Sequence, residues 1–560
     1  MRVVDLQKNA DLFPEVRRYF PHPTVRGYQA DLANNVYRAL TNGEKNIVVE
    51  APTGLGKTAA IYAGAMAFAT ENELRVLWLT RTGSQVAHIS REVSALPIFG
   101  RRMVCIHETV SKIDLRRFNA TCRAIRRAGR CPYWPGLPRA LKPPLTAKEV
   151  REIGRRFGVC PHDCLVASMS QSRIIVATHM QLSSVSWLLS KWRARKEKTI
   201  LILDEGQHIL KTAFSMVRDS ISLRSVEKAA REAIKYGYSE LGKRIREAAD
   251  KYRNMLSSDG EIEVDDLIPD VDELIIVGEE VQDAKLKEGY VPASHILSLA
   301  DFKIALKNTK PILVKEGKNI RLEAPADPVE TLKAIYDGWN STVTVSATIS
   351  GELLESLTNK EVTLLRAGWP FQENLKAYIV KGLTTKFEKR DETLTNDMAW
   401  VIDLAARTGL KTLIFFPSFE LLEKALSKST ASKTEDVVAE SPGLDQEEVE
   451  TIVTEYGKGL KKTLLSVYNG RLAEGVDLSA NLVICFGIPF APPTVKQQAL
   501  IRRLSEILGD EGKAKLYGVI LPGLWSALQA AGRAIRGPED SADVYLIDDR
   551  YRPLTRFLPR

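Results

Sequence analysis

A chain of 560 residues with a net charge of +9 is too long for one hydrophobic core, so several domains are expected, each large enough to fold independently. Hydrophobic residues at 44% and charged residues at 27% are ordinary for globular protein, and no run of about 18 apolar residues occurs, which excludes a membrane span. Met1 to Asn9 carries charges where an export signal would need an apolar stretch, so the expected setting is a reducing cytoplasm, where cysteines act as metal ligands or buried thiols.

In chain order, Gln29 in Arg26-Gly27-Tyr28-Gln29 is the first residue of interest, because its amide could read adenine. Lys45–Glu50 has the pattern of a buried strand and the Ala-rich Lys57–Phe68 that of a helix. The turn between them, within Glu50–Thr58 (EAPTGLGKT), has the composition of a phosphate loop. Thr53, Gly54 and Gly56 let backbone N–H groups face phosphates, Lys57 would hold the β- and γ-phosphates of ATP, and Thr58 would ligate Mg²⁺. Ala51 stands where such loops usually have their first glycine.

Arg75–Leu79 is the next expected strand, followed by a segment of unusual composition. From Arg101 to Cys160 there are fifteen Lys and Arg against four Asp and Glu, and five of the six cysteines fall at 105, 122, 131, 160 and 164. The basic run would repel itself unless an anionic polymer lay against it, although a solvated helix face is the plainer alternative. Arg123 and Arg126 are candidate phosphate contacts, and Tyr133 a stacking platform for unpaired bases. Cys160-x3-Cys164 is half of a possible zinc site, but Cys105, Cys122 and Cys131 supply no second short-spaced pair. Buried, unligated thiols are the third alternative.

Ile174–Ala177 and Thr199–Leu203 continue the parallel strands, and the latter runs into Asp204-Glu205-Gly206-Gln207. Acids at the carboxyl end of a strand reach bound nucleotide: Asp204 suits magnesium, and Glu205 suits the attacking water. Residues 213–325 change to charged helical stretches with the acidic passage Ser258–Asp272, an expected helical insertion. Val343–Val345 resumes the strands, and Thr412–Phe416, Thr463–Val467, Leu482–Phe486 and Val544–Ile547 form a second set; Ser427–Gly443 has the composition of a surface loop. Near the end, Gln529 precedes Arg533 and Arg536, whose spacing puts both arginines on one face of a helix, from which they could reach phosphates held by the first set of strands.

Taken in order, these stretches resemble the superfamily-2 helicases and, within them, the XPD family of iron–sulfur helicases. Thr80-Arg81-Thr82-Gly83-Ser84-Gln85 looks like the family's DNA-strand-contacting motif, Ser346-Ala347-Thr348 its coupling motif, and Glu474-Gly475-Val476-Asp477 its fifth motif. The resemblance implies α/β architecture: two RecA-like, doubly wound parallel-sheet motor domains, with an inserted iron–sulfur domain and an inserted, mostly helical arch. Motor domain 1 would take residues 1–100, 169–212 and 326–350, the iron–sulfur domain 101–168, the arch 213–325 and motor domain 2 351–560.

The resemblance further implies a 4Fe-4S cluster on Cys105, Cys122, Cys131 and Cys160, nucleotide contacts from Gly475, Asp477 and Gln529, and DNA contacts from Thr80 and Arg81. The implied activity is ATP-driven 5′ to 3′ movement on single-stranded and forked DNA in repair or genome maintenance, by a monomer. One departure stands out. The family's Asp-Glu-Ala-His box is Asp204-Glu205-Gly206-Gln207 here, which puts the link from its fourth position in question and leaves room for a DNA-stimulated translocase or a single-strand-binding relative without unwinding.

Overall fold

The computed structural model describes the chain apart from residues 9, 53, 113–117, 119–121, 123–124, 127–128, 135, 216, 257, 289–293, 307–308, 347–350, 369–371, 445, 474–477, 534, 536–538 and 559–560. Strands β1 (Arg2–Asp5), β2 (Asn46–Glu50), β3 (Arg75–Thr80), β4 (Leu96–Ile98), β5 (Ile174–Thr178) and β6 (Thr199–Leu203) come first along the chain. After β7 (Val217–Ser222), β8 (Gly260–Glu263), β9 (Ile312–Glu316) and β10 (Asn319–Pro325) come β11 (Ser341–Ser346) and β12 (Thr363–Arg366). The last group is β13 (Leu375–Val380), β14 (Thr412–Phe416), β15 (Val437–Ala439), β16 (Thr463–Val467), β17 (Leu482–Phe486) and β18 (Ala542–Ile547).

The first sheet has the order β1-β12-β2-β11-β6-β3-β5-β4, and every pairing in it is parallel. Its strands are short apolar runs because both faces are covered: Ile47 to Val49 and Ile200 to Leu203 are fully buried. Helix Gln29–Thr41 packs so closely on helix Lys57–Glu71 that a Cβ on Gly64 would lie 2.3 Å from the Ala33 carbonyl oxygen. The expected second motor region begins later than residue 351. Apolar Thr363–Leu365 is buried and pairs with both β1 and β2, so β12 completes the first sheet.

The second parallel sheet has the order β13-β18-β17-β14-β16-β15. Its interior is built by Ile414, Phe416, Leu465, Ile484 and Phe486 with helices Glu392–Arg407 and Phe419–Lys428. The stretch expected to be a loop, Ser427–Gly443, instead contributes the edge strand β15, whose three residues pair with β16. Both parallel sheets belong to one compact unit, Met1–Ile209, Ile335–Phe490 and Leu521–Arg560.

The other unit joins Leu210–Ala334 to Ala491–Ile520. The expected arch carries helices Leu223–Lys235, Ser239–Met255, Val271–Lys287 and His295–Leu306, and also an antiparallel sheet of order β7-β10-β9-β8 that composition did not suggest. Helix Val495–Leu508 is fastened to it by charge: Lys496 lies 2.6 Å from Glu323 and 3.4 Å from Glu261, Arg502 lies 2.7 Å from Glu263, and Arg503 lies 2.7 Å from Asp327.

Candidate active site

The order of the first sheet gathers the nucleotide candidates. β11 lies between β2 and β6, so the phosphate loop, the acidic pair and Ser346 leave neighbouring strands at the same carboxyl edge, where open α/β sheets bind ligands. Gly54 and Gly56 have φ of 80° and 77°, a left-handed backbone that frees their N–H groups to point into the loop, and Gly56 caps helix Lys57–Glu71. Lys57 Nζ donates to the carbonyls of Ala51 (3.0 Å) and Pro52 (3.1 Å), which hold the ammonium over the loop, and Thr58 is half-buried in the helix's first turn. Thr53 lies outside the described residues.

Gln29 is buried against that loop. Its Nε2 donates to the Gly56 carbonyl at 3.3 Å and its Oε1 accepts from Arg26 N–H at 2.8 Å, so the amide joins its own turn to the phosphate loop. A Cβ on Gly56 would fall 2.0 Å from Gln29 Nε2.

Enclosure and the neighbouring Glu205 carboxylate raise the Asp204 pKa above the usual carboxylate range, against the opposing pull of Lys57. Asp204 Oδ1 accepts from the Glu205 N–H at 3.0 Å. Glu205 itself has φ 55°, a left-handed conformation that costs a non-glycine residue about 1–3 kcal/mol and is tolerated mainly at functional sites. Its Oε2 accepts from two amides: Gln207 Nε2 at 2.6 Å, and Gln529 Nε2 at 3.0 Å from helix Leu521–Ala531 of the second-sheet region. Gln207 is fully buried, and its Oε1 accepts from Ser346 Oγ at 2.5 Å. The residue that departs from the family box therefore bridges the acidic pair to the coupling motif, with one amide doing what needs both a donor and an acceptor.

Two residues in the site have roles that the sequence motifs did not assign. Gln85 closes a capping box with Thr82 at the start of helix Gly83–Val93, and the buried Thr80 hydroxyl donates to it at 2.9 Å. Thr80, expected on DNA, is thus closed to solvent and supports the helix start. Its neighbour Arg81 is half-buried, 3.0 Å from His208 Nε2. The second residue is His179, buried just after β5, whose Nε2 lies 2.8 Å from the Asp204 carbonyl; burial pushes its pKa down to about 4.

Of the expected arginine pair, only Arg533 is among the described residues. The helix ends at Ala531, and Arg533 follows in a turn, its N–H donating to the Ala530 carbonyl at 3.2 Å; Arg536 lies outside the described residues, as do Gly475 and Asp477.

In the basic segment, Cys105, Cys122, Cys131 and Cys160 are half-buried thiols. Burial raises the Cys105 pKa, and the nearby Cys122 and Cys131 sulfurs add to the cost of ionising it; Cys160 is pushed up to about 11 by burial and by Asp163. Cys164 is different: it is fully buried, and its sulfur accepts from the Arg139 N–H at 3.4 Å. Among the described residues, no three His, Cys, Asp or Glu side chains are drawn together as a metal site. The four half-exposed thiols, three of them within electrostatic reach of one another, nevertheless fit an iron–sulfur donor set in chemistry. Arg126 pairs with Asp163 at 3.1 Å and lies 5.1 Å over Trp134, so it ties the Cys122–Cys131 stretch to the Cys160 helix; Tyr133 beside it is half-buried, and Arg123 lies outside the described residues. Among the described residues no helix is long and apolar enough to cross a membrane.

A phosphate loop on one parallel sheet, with its acidic pair hydrogen-bonded to a helix of a second, is how ATP-driven helicases are built, and this protein is one of them. The DEAD_2 model matches residues 71–226 and the helicase C-terminal domain model residues 401–558. The ATP-dependent DNA helicase XPD of Sulfolobus acidocaldarius is 24% identical over 95% of this chain and 97% of its own. The ATP-dependent DNA helicase CHL1 of Debaryomyces hansenii is 21% identical over 84% of this chain and 69% of its own. Among solved structures, an XPD helicase superposes with a TM-score of 0.64 at 21% identity, covering 95% of this chain and 97% of that one, and the S. tokodaii Xpd4 structure with 0.60 at 20% identity, covering 94% and 97%. The chain thus carries both helicase domains and is similar over nearly its whole length to XPD helicases.

Proposed function

We propose that the protein couples ATP hydrolysis to 5′ to 3′ movement on single-stranded DNA and parts forked duplexes in repair or genome maintenance, acting as a monomer in the cytoplasm. The observation that carries this is the Glu205 carboxylate, which accepts from Gln207 on its own sheet and from Gln529 on the second, so that the group handling the attacking water is bonded to both halves of the motor. Lys57 draws charge from the β- and γ-phosphates, Glu205 orients water in line with the γ-phosphorus, and Arg533 and Arg536 offset charge that builds in the transition state. Thr58 and Asp204 would hold Mg²⁺, which would supply positive charge to offset that of the phosphates. Gln29, Thr53, Gly54, Gly56, Gly475 and Asp477 would complete the nucleotide contacts.

Cys105, Cys122, Cys131 and Cys160 would hold a 4Fe-4S cluster, which when bound ties distant stretches of the basic segment into one rigid body. Arg81, Arg123 and Tyr133 would contact DNA, while Arg126 is assigned to holding the cysteine segments together. The alternative, a translocase without unwinding, drew its support from Gln207, and that residue is fully engaged at both ends of its amide. The deciding experiment compares strand release from forks with 5′ and 3′ single-stranded tails against DNA-stimulated ATP hydrolysis. Release from the 5′-tailed fork is expected; hydrolysis without release from either fork would overturn the unwinding assignment.

A further inference from the structure

His179 belongs to none of the motifs above, yet it touches the backbone of the acidic pair. It is the first residue beyond β5, and β3 lies between β5 and β6, so the imidazole must reach across the end of β3 to meet Asp204. The registers allow this: Leu79 pairs with Ala177 on one side and Leu203 on the other, so His179 and Asp204 emerge together just past the same point of β3. The ring is 5% exposed and its Nε2 lies 2.8 Å from the Asp204 carbonyl oxygen. A carbonyl only accepts, so Nε2 carries the proton and donates. On its other side Asp204 donates its own N–H to the Leu79 carbonyl at 2.8 Å. Both backbone polar groups of Asp204 are therefore gripped, and the grip of His179 on the carbonyl fixes the plane of the peptide that leads into Glu205.

That peptide plane matters because Glu205 is left-handed, with φ 55°. A glutamate relaxes from this conformation when the preceding peptide is free to rotate, and rotation would swing the carboxylate away from its present partners. We infer that His179 is a positioning residue for hydrolysis: by donating to the Asp204 carbonyl it locks the left-handed turn that aims the Glu205 carboxylate. The inference rests on the assignment of Glu205 to the attacking water.

The test uses the full chain with single-stranded DNA and two variants of similar length. His179→Met keeps the reach but has no donor, whereas His179→Gln places an amide N–H near the position of Nε2. Losing one such bond at the acidic pair is expected to lower kcat for ATP hydrolysis roughly tenfold in the Met variant, with KM for ATP within about twofold, and the Gln variant recovers most of the rate. Hydrogen exchange across Leu203–His208 should quicken in the Met variant and not in the Gln variant. A Met variant with parental kcat, equal losses in the two variants, or a loss carried by KM would overturn the inference. Should the parent chain hydrolyse no ATP, the functional assignment falls by itself, and unchanged exchange in the Met variant would separately overturn the positioning role.

Discussion

Replacing Gln207 by alanine removes both ends of one bridge. The carboxylate of Glu205 loses a donor at 2.6 Å and Ser346 Oγ loses an acceptor at 2.5 Å, both in fully or largely enclosed positions. A hydrogen bond to a charged group contributes about 1.5–3 kcal/mol and a neutral one about 1 kcal/mol, so the bridge is worth roughly 2–4 kcal/mol, shared between stability and coupling. Since Glu205 keeps its bond from Gln529, hydrolysis without DNA should survive within several-fold. The stimulation by single-stranded DNA should fall about tenfold, because a coupling of 1–3 kcal/mol corresponds to about 5–150-fold. Steady-state ATP hydrolysis with and without single strands, alongside a thermal melt, reads both quantities. Gln207→His, which also offers a donor and an acceptor, should keep stimulation within a few-fold of the parent. An alanine variant with parental stimulation and unchanged Tm would refute the bridge.

Lys57→Ala should abolish hydrolysis and leave single-strand binding largely intact, as measured by turnover and by DNA-binding titration; retained turnover would remove the loop from the mechanism. Cys122→Ser should bleach anaerobically purified protein and abolish strand release while sparing much of the ATPase, and persistent iron and acid-labile sulfide would count against the cluster. Asp204 has its pKa raised by enclosure and by Glu205, so the folded state binds its proton more tightly than the unfolded chain does, and stability falls as pH rises from the unfolded value toward the folded one. Asp204→Asn should therefore melt higher than the parent at pH 8, by about 1 kcal/mol or more, with the difference fading toward pH 4, while hydrolysis is lost; a lower melting point at pH 8 would contradict the sign. DNA affinity should fall steeply with salt in proportion to the phosphates neutralised, and a flat response would exclude the basic segment as a contact surface.

The two parallel sheets were legible because their central strands are apolar on both faces: Thr199–Leu203, Thr412–Phe416, Thr463–Val467 and Leu482–Phe486 have the same bounds in sequence and structure. The strands that escaped notice are short or amphipathic. Leu96–Ile98 and Val437–Ala439 have three residues each, and Leu375–Val380 exposes Lys376 to Tyr378 at a sheet edge, so neither length nor pattern separates them from loops. The phosphate loop and acidic pair announce themselves by local order. The link through Gln207 does not, because Ser346 lies 139 positions away and is adjacent only once β11 inserts between β2 and β6. His179 has no local signal at all, whereas Thr82 and Gln85 show a capping-box spacing that could have been recognised.

The lobe made from Leu210–Ala334 and Ala491–Ile520 has a consequence for biosynthesis. Glu261, Glu263 and Asp327 are translated 235, 239 and 176 positions ahead of their partners Lys496, Arg502 and Arg503. Until those cations arrive, the acids repel one another and the lobe's final seam stays open, so its maturation waits on most of the second sheet being synthesised. A nascent chain stalled before Ala491 should therefore hold the lobe in a protease-sensitive form, which the translation of Ala491–Ile520 closes.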